Sequence, residues 1–252
     1  MKIMDAAGKK IFILYPHSVI RDEMLDVLIM NGYESYVLHD HKRALRLLEH
    51  FPDSIMFINI DEGLKEKEWE AYIKGVQENE KTKTARLGIL SYNNDRQLME
   101  KYLMKLAVPC GYIQLKLGVP ASTKIMLDAL QANEARGRRK FIRADCADDA
   151  GATLNYKDEE GIYYGKILDI SSAGMAAKIE KLGYPVNSKL RNIQLKLRGS
   201  LVMVNAILIG SRQGDESIRI LLFEPGLSNG NKLIIHHFIK YCLQRFIDNL
   251  KI

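Results

Sequence analysis

The sequence predicts two domains. The first is an α/β domain, a doubly wound sheet of five parallel strands with helices on both faces. The second is all-β, with six antiparallel strands forming a barrel or sandwich beside a C-terminal helix. Three observations point there. From Lys9 to about Ala135, short apolar runs alternate with stretches of helical period. After Arg143 the helical stretches stop, and short β-branched and aromatic runs follow one another. The chain, at 252 residues, also exceeds the usual size of one domain. The predicted domains are residues 1–135 and 136–252.

The first strand is "KKIFILYP", a continuous apolar run ended by Pro16, which suits a strand buried on both faces. A helix follows over 19–31, with Ile20, Met24, Val27 and Leu28 on one face and Gly32 as its C-terminal stop. "YESYVLHD" reads as the second strand and 41–51 as a helix carrying Ala44, Leu45 and Leu48. In "LHDHKR", His39 and His41 flank Asp40; an Asp capping the start of a helix explains the run better than a metal site. "SIMFINI" is the third strand, 66–80 a helix, "RLGILSY" the fourth strand and 95–106 a helix. "CGYIQL" and a helix over 121–135 complete the domain, with Trp69 assigned to packing.

Beyond Arg143 the runs "GATLNY", "IYYGKILD", "MAAKIE", "LRNIQLKL", "LVMVNAILIGS" and "SIRILLF" are separated by Gly, Asn and Asp. Six such strands without intervening helices predict a barrel or sandwich. Residues 231–250 return to helical period, with Ile235, Phe238, Ile239, Cys242, Phe246 and Leu250 in one stripe. The adjacent His236 and His237 point about 100° apart on such a helix and do not chelate together.

Composition narrows the function classes. Apolar residues make up 47% and charged residues 27% of the chain, as in ordinary globular proteins. The first ten residues, "MKIMDAAGKK", lack the apolar stretch of a signal peptide, and no run reaches the roughly 18 apolar residues of a membrane span. Three widely spaced cysteines, Cys110, Cys146 and Cys242, match neither a metal spacing nor a disulfide framework. The expectation is a cytoplasmic protein with free thiols and no metal. Motifs of nucleophilic, zinc or P-loop catalysis are missing, which argues for a non-enzymatic role. The net charge of +6 fits an anionic partner, and the charge concentrates at 136–143, in "RGRRKFIR".

The first domain resembles the receiver domain of response regulators in its order of elements. Ser91, closing the fourth strand, and Lys116, after the fifth, stand where receivers carry a Ser or Thr and a Lys. The acidic pair that holds Mg²⁺ in receivers is replaced by Tyr15, Pro16 and His17, and Asn59 competes with Asp61 for the phospho-acceptor position. A hard cation needs carboxylate oxygens, so the resemblance implies a pseudo-receiver, a scaffold or homodimerisation module that takes up no phosphate. A working receiver drawing oxygens from Asp61 and Asp22 is the alternative.

The second domain resembles the PilZ domain, a bacterial receptor for cyclic di-GMP. The resemblance rests on Arg139-x-x-x-Arg143 at the barrel entrance, followed by Asp169-x-Ser171-x-x-Gly174 in "DISSAG". Arginine's planar fork suits phosphodiester oxygens and the O6/N7 edge of guanine, and it stacks on purine faces. Asp169 can take guanine N1–H and N2–H₂ or orient an arginine. Ser171 can cap a turn or donate to the ligand, and Gly174 can allow close approach or a positive φ. Arg138 is similar to the additional arginine that accompanies binding of two cyclic di-GMP molecules in the family. Arg136 and Lys140 read as solvated or transiently phosphate-facing, Phe141 as a plug into the barrel or the domain interface, and the tyrosines of "IYYG" as packing residues, with stacking on guanine by a Tyr at the barrel rim as the alternative. The implied function is a cyclic di-GMP effector with an unidentified protein partner. Ligand binding at the linker and barrel face would change the domain arrangement. Nucleic-acid binding through the basic junction is the less favoured alternative.

Overall fold

The computed structural model describes residues 8–159, 161–180 and 182–252, without the side chains of Val19 and Ile20. The opening residues 1–7 and the side chain of Ile20 therefore lie outside the described residues. The chain divides into two compact units, Met1–Lys140 with Ile247–Ile252, and Phe141–Phe246.

The first unit runs β1 (Ile11–Leu14), α1 (Ser18–Met30), β2 (Ser35–Leu38), α2 (His41–His50), β3 (Ile55–Asn59), α3 (Glu66–Glu78), β4 (Arg86–Ser91), α4 (Arg96–Glu100), β5 (Tyr112–Gln114) and α5 (Val119–Ala132). The five strands are parallel in the order β2-β1-β3-β4-β5, the doubly wound arrangement expected. β1, β2 and β3 are buried at every position, because helices cover both faces and no strand residue can be polar without a partner. Gly88 in β4 is required by packing: a Cβ there would sit 2.5 Å from Cδ1 of Phe57.

Local chemistry sets the helix ends. Asp40 caps α2 by accepting from Lys42 N at 2.8 Å and Arg43 N at 3.2 Å. Gly32 follows α1 at φ 83°, the left-handed conformation that suits glycine after a helix. Trp69 is fully buried on α3, its Nε1 donating to the Glu62 carbonyl at 3.0 Å. The helix expected over 95–106 is interrupted: α4 passes at Lys101 into a π-helical turn, Lys101–Lys105.

The second unit contains β6 (Ala144–Asp145), β7 (Ala152–Lys157), β8 (Ile162–Ser171), β9 (Gly174–Ile179), β10 (Lys189–Leu197), β11 (Ser200–Arg212), β12 (Asp215–Phe223) and most of α6 (Asn229–Asn249). Six strands, β8-β7-β10-β11-β12-β9, form an antiparallel sheet that the β8–β9 pairing closes into a barrel. The sequence reading missed β6. Its two residues pair with Ile170 and Asp169 of β8, and so short a strand has no alternation to read.

Helix α6 buries Ile235, Phe238, Ile239, Cys242 and Leu243, whereas Phe246 is exposed and Leu250 lies beyond the helix, contrary to the expected stripe. Side chains on its flanks fasten it to the barrel. Arg245 Nη1 meets the buried Asp149 carboxylate at 2.9 Å, and the Arg198 guanidinium lies 3.9 Å from the centre of the Tyr241 ring. Among the described residues no helix is long and apolar enough to cross a membrane.

Candidate functional site

The barrel site is built around Asp169, whose carboxylate side chain is only 15% exposed. Asp169 lies near the end of β8, where the pairing with β9 shifts register between Ile167 and Asp169. Such a bulge turns a side chain out of the regular alternation. Opposite it, β6 pairs Asp145 with Asp169, so the residue just before β6 is brought alongside. That residue is Arg143, and its Nη1 donates to Asp169 Oδ1 at 3.1 Å. The two motif halves of the second unit thus meet in one ion pair.

Ser171 and Gly174 shape the turn after β8. Ser171 is buried; its Oγ donates to the Gly174 carbonyl at 3.1 Å and accepts from Ala173 N at 3.3 Å. These two bonds make Ser171 a cap of the turn, one of the two roles open to it. Gly174 is not in the positive-φ region. Its need is space: a Cβ would lie 2.3 Å from the Leu221 carbonyl oxygen of β12.

Arg212 also belongs to this cluster, and the sequence reading did not single it out. It closes β11, and its Nη2 donates to Asp169 Oδ2 at 2.6 Å. The only sequence signal is its place before the Gln213-Gly214 hairpin turn; nothing in the spacing ties it to Asp169.

Arg138 and Arg139 fall in the first unit as divided above, and both are exposed. Arg138 lines a pocket of about 680 Å³ with Lys9, Lys10, Phe51 and Arg136. Arg136 is not simply solvated: it hydrogen-bonds the Asn31 carbonyl and lies over the Tyr33 ring at 5.8 Å. Phe141 is exposed instead of plugged into a core. In "IYYG", Tyr163 stacks on Tyr156 with ring centres 6.0 Å apart, while Tyr164 is 71% exposed. Tyr164 borders an open groove of about 530 Å³ on the barrel, together with Lys166, Lys178 and Lys196.

In the first unit, the ends of β1, β3 and β4 meet in a closed hydrogen-bond network. Asn59 is the last residue of β3 and is fully buried; its Nδ2 donates to the Tyr15 carbonyl at 2.8 Å. Asp61 lies two residues further on. Its Oδ1 accepts from Ser91 Oγ and its Oδ2 from Tyr92 N, each at 2.6 Å. Tyr15, at φ 52°, turns the chain out of β1, and His17 packs edge-on against Tyr92 at 5.3 Å. Lys116 Nζ reaches Asn94 Oδ1 at 3.4 Å. His41 Nδ1 is 3.1 Å from the Tyr15 hydroxyl. Among the described residues, no group of three or more His, Cys, Asp or Glu side chains is placed to hold a metal ion.

No protein-family model and no curated protein matches the chain. Among solved structures it is similar to the PilZ domain of YcgR from Escherichia coli, determined with c-di-GMP, at 15% identity over 45% of this chain and 99% of that one, TM-score 0.37. It is similar to the Bacillus subtilis inhibitor of motility, MotI/DgrA, at 18% identity over 45% of this chain and 53% of that one, TM-score 0.35. The signal receiver domain of an HD domain-containing protein from Pseudomonas fluorescens Pf-5 aligns at 14% identity over 50% of this chain and 90% of that one, TM-score 0.41. The matched region spans about half the length of MotI/DgrA.

Proposed function

We propose that the protein is a non-enzymatic cyclic di-GMP effector of the bacterial cytoplasm, with a pseudo-receiver at residues 1–135 and a PilZ domain at 136–252. The observation that carries the reading is the 3.1 Å pair between Arg143 and Asp169, which joins the two halves of the motif on one barrel face. The ligand residues proposed are Arg138, Arg139, Arg143, Asp169, Ser171 and Gly174. Arg139 and Arg143 supply bidentate donors to phosphate and guanine. Asp169 anchors Arg143, while Ser171 and Gly174 hold the turn that presents Asp169. Arg138 recruits a second cyclic di-GMP molecule.

Binding orders the 136–143 segment and changes the domain arrangement, which alters a surface for a protein partner. The first domain takes up no phosphate and serves as a scaffold or homodimerisation module. Asn59 supports this: an amide stands at the end of β3, bonded to the Tyr15 carbonyl, where a phospho-acceptor would need a carboxylate.

Isothermal titration with cyclic di-GMP tests the reading. Saturable binding by the wild type, abolished by Arg139→Ala and by Arg143→Ala, is the expected result. A stoichiometry of two that falls to one in Arg138→Ala supports the role given to Arg138. A folded wild type that binds no cyclic di-GMP refutes the reading.

A further inference from the structure

Asp169 holds two guanidinium groups at once, one on each carboxylate oxygen. Arg143 takes Oδ1 at 3.1 Å and Arg212 takes Oδ2 at 2.6 Å. The three groups in direct contact carry one negative charge between two positive ones; Asp145, paired with Asp169, and Asp215, paired with Arg212, are the neighbouring acids. A guanidinium carries five N–H donors, and neither arginine is sealed off: their side chains are 38% and 46% exposed. Donors therefore remain for an anion that approaches the pair, and an anion would also relieve the repulsion between the two guanidiniums.

The backbone aims these groups. The register of β8 against β9 shifts immediately before Asp169, and that of β11 against β12 shifts between Ser211 and Arg212. Bulges at both partners re-aim side chains that regular strands would send elsewhere, and they concentrate next to functional sites. Arg143 is fixed differently, by the pairing of the adjoining β6 with β8. Three separate backbone devices thus converge on one carboxylate.

We propose that Arg212 is a fourth ligand-binding arginine of this site, beside Arg138, Arg139 and Arg143. Asp169 is the positioning residue that holds Arg143 and Arg212 side by side to receive one phosphodiester. The proposal rests on the cyclic di-GMP reading and adds to it a residue outside both motifs, on the β11–β12 hairpin. It also selects between the two roles open to Asp169, since a carboxylate with a guanidinium on each oxygen orients arginines.

Titration of the full chain with cyclic di-GMP tests it, using wild type, Arg212→Ala, Arg212→Lys, Asp169→Asn and the Arg212→Ala/Asp169→Asn double variant. Arg212→Ala is expected to weaken binding about tenfold or more, and Arg212→Lys to recover only part, because an ammonium lacks the bidentate fork. If Asp169 acts through the arginines, the double variant loses less than the product of the two single losses. Bracing of the hairpin through the same ion pair would couple the two residues as well, so Arg212→Lys discriminates: it keeps a cation beside Asp169 but lacks the fork, and weaker binding at an unchanged melting temperature marks a ligand contact. Circular-dichroism melting checks that each variant is folded, and Arg212→Gln replaces Arg212→Ala if the alanine variant melts early. Binding by Arg212→Ala within about twofold of a binding wild type, or strict additivity, overturns the proposal and leaves the cyclic di-GMP reading standing. A wild type that binds nothing removes that reading itself.

Discussion

The Asn59 side chain donates to the Tyr15 carbonyl at 2.8 Å, binding the end of β3 to the end of β1. On the pseudo-receiver reading proposed above, Tyr15, Pro16 and His17 stand where a receiver's acidic pair would hold Mg²⁺, and the Asp61 carboxylate is already bonded to Ser91 Oγ and Tyr92 N. Mg²⁺ with beryllofluoride is therefore expected to leave the protein unchanged. Trp69 is a built-in reporter: it is the chain's one tryptophan, and its ring lies 6.0 Å from that of Tyr15. A saturable, Mg²⁺-dependent change in its fluorescence would show a working acid pocket and reverse the assignment.

The segment between residues 134 and 146 is expected to gain protection from limited proteolysis when cyclic di-GMP is added, because its arginines close on the ligand. Cleavage mapped by mass spectrometry with and without ligand reads this directly. Equal cleavage under saturating ligand would show that the segment does not order on binding.

Gly174→Ala tests space, not ligand chemistry. The added methyl would meet the Leu221 carbonyl oxygen at 2.3 Å, across the β9–β12 pairing, and a main-chain atom cannot step aside cheaply. Destabilisation of about 2–3 kcal/mol is expected from such overpacking, read as a lower denaturation midpoint. Any loss of ligand binding in this variant should track the loss of folded protein. A variant as stable as wild type would contradict the packing account.

The three cysteines should be nearly inert in the native state. Burial pushes the Cys110 thiol up to about 11 and the Cys242 thiol up to about 12, and it raises Cys146 as well. The thiolate is the reactive form, so at pH 8 little of it exists even where reagent penetrates. A chromogenic thiol reagent is expected to label none of the three quickly, and all three after unfolding in guanidinium chloride. Fast labelling of one site in the folded protein would identify an exposed or activated thiol.

Glu70 gives the first unit a pH dependence. Hydrogen bonds from Lys101 and Lys74 hold its carboxyl down at about 2 from an ordinary 4.5. A carboxyl depressed in the folded state contributes stability above its unfolded value, and the contribution is lost as pH falls toward the folded one. Between pH 4.5 and 2, Glu70→Gln should lose stability less steeply than wild type in acid titrations followed by circular dichroism. Parallel curves would mean that the ion pairs are too screened to matter.

Much of the fold was legible in the sequence because burial leaves a strong trace. The runs "IFIL" and "IMFIN" can be apolar throughout only if both sheet faces are covered, and they fall within the parallel strands predicted for them. The barrel strands were readable from alternation and turn residues. What escaped is what leaves no periodic mark. β6 is two residues long, and the π-helical turn after Glu100 continues the same apolar pattern as the helix before it. Phe141 and Phe246 are apolar but exposed, which no sequence rule distinguishes from burial.

The candidate site divides in the same way. Arg143 and Asp169 were visible as motif residues, and the Asp40 cap was visible as an Asp before a helical stretch. Arg212 was invisible because its link to Asp169 is made by tertiary folding of a hairpin, with the partners 43 positions apart in the sequence. The burial of Ser171 and the packing role of Gly174 were each one of two readings that composition alone could not separate.

The small strand β6 has a kinetic consequence for the arginines that precede it. Because Ala144 and Asp145 are moored to β8, Arg143 is the fixed end of a short leash. Arg139 lies four residues along that leash, so its backbone can stray no further than about 14 Å from Arg143 even when fully extended. On the cyclic di-GMP reading proposed above, a ligand captured at Arg143 would meet Arg139 at a local concentration of the order of millimolar, set by chain length alone. The second contact follows the first without a separate diffusional search. Lengthening the leash by a few flexible residues would slow that closure and leave every contact chemically intact.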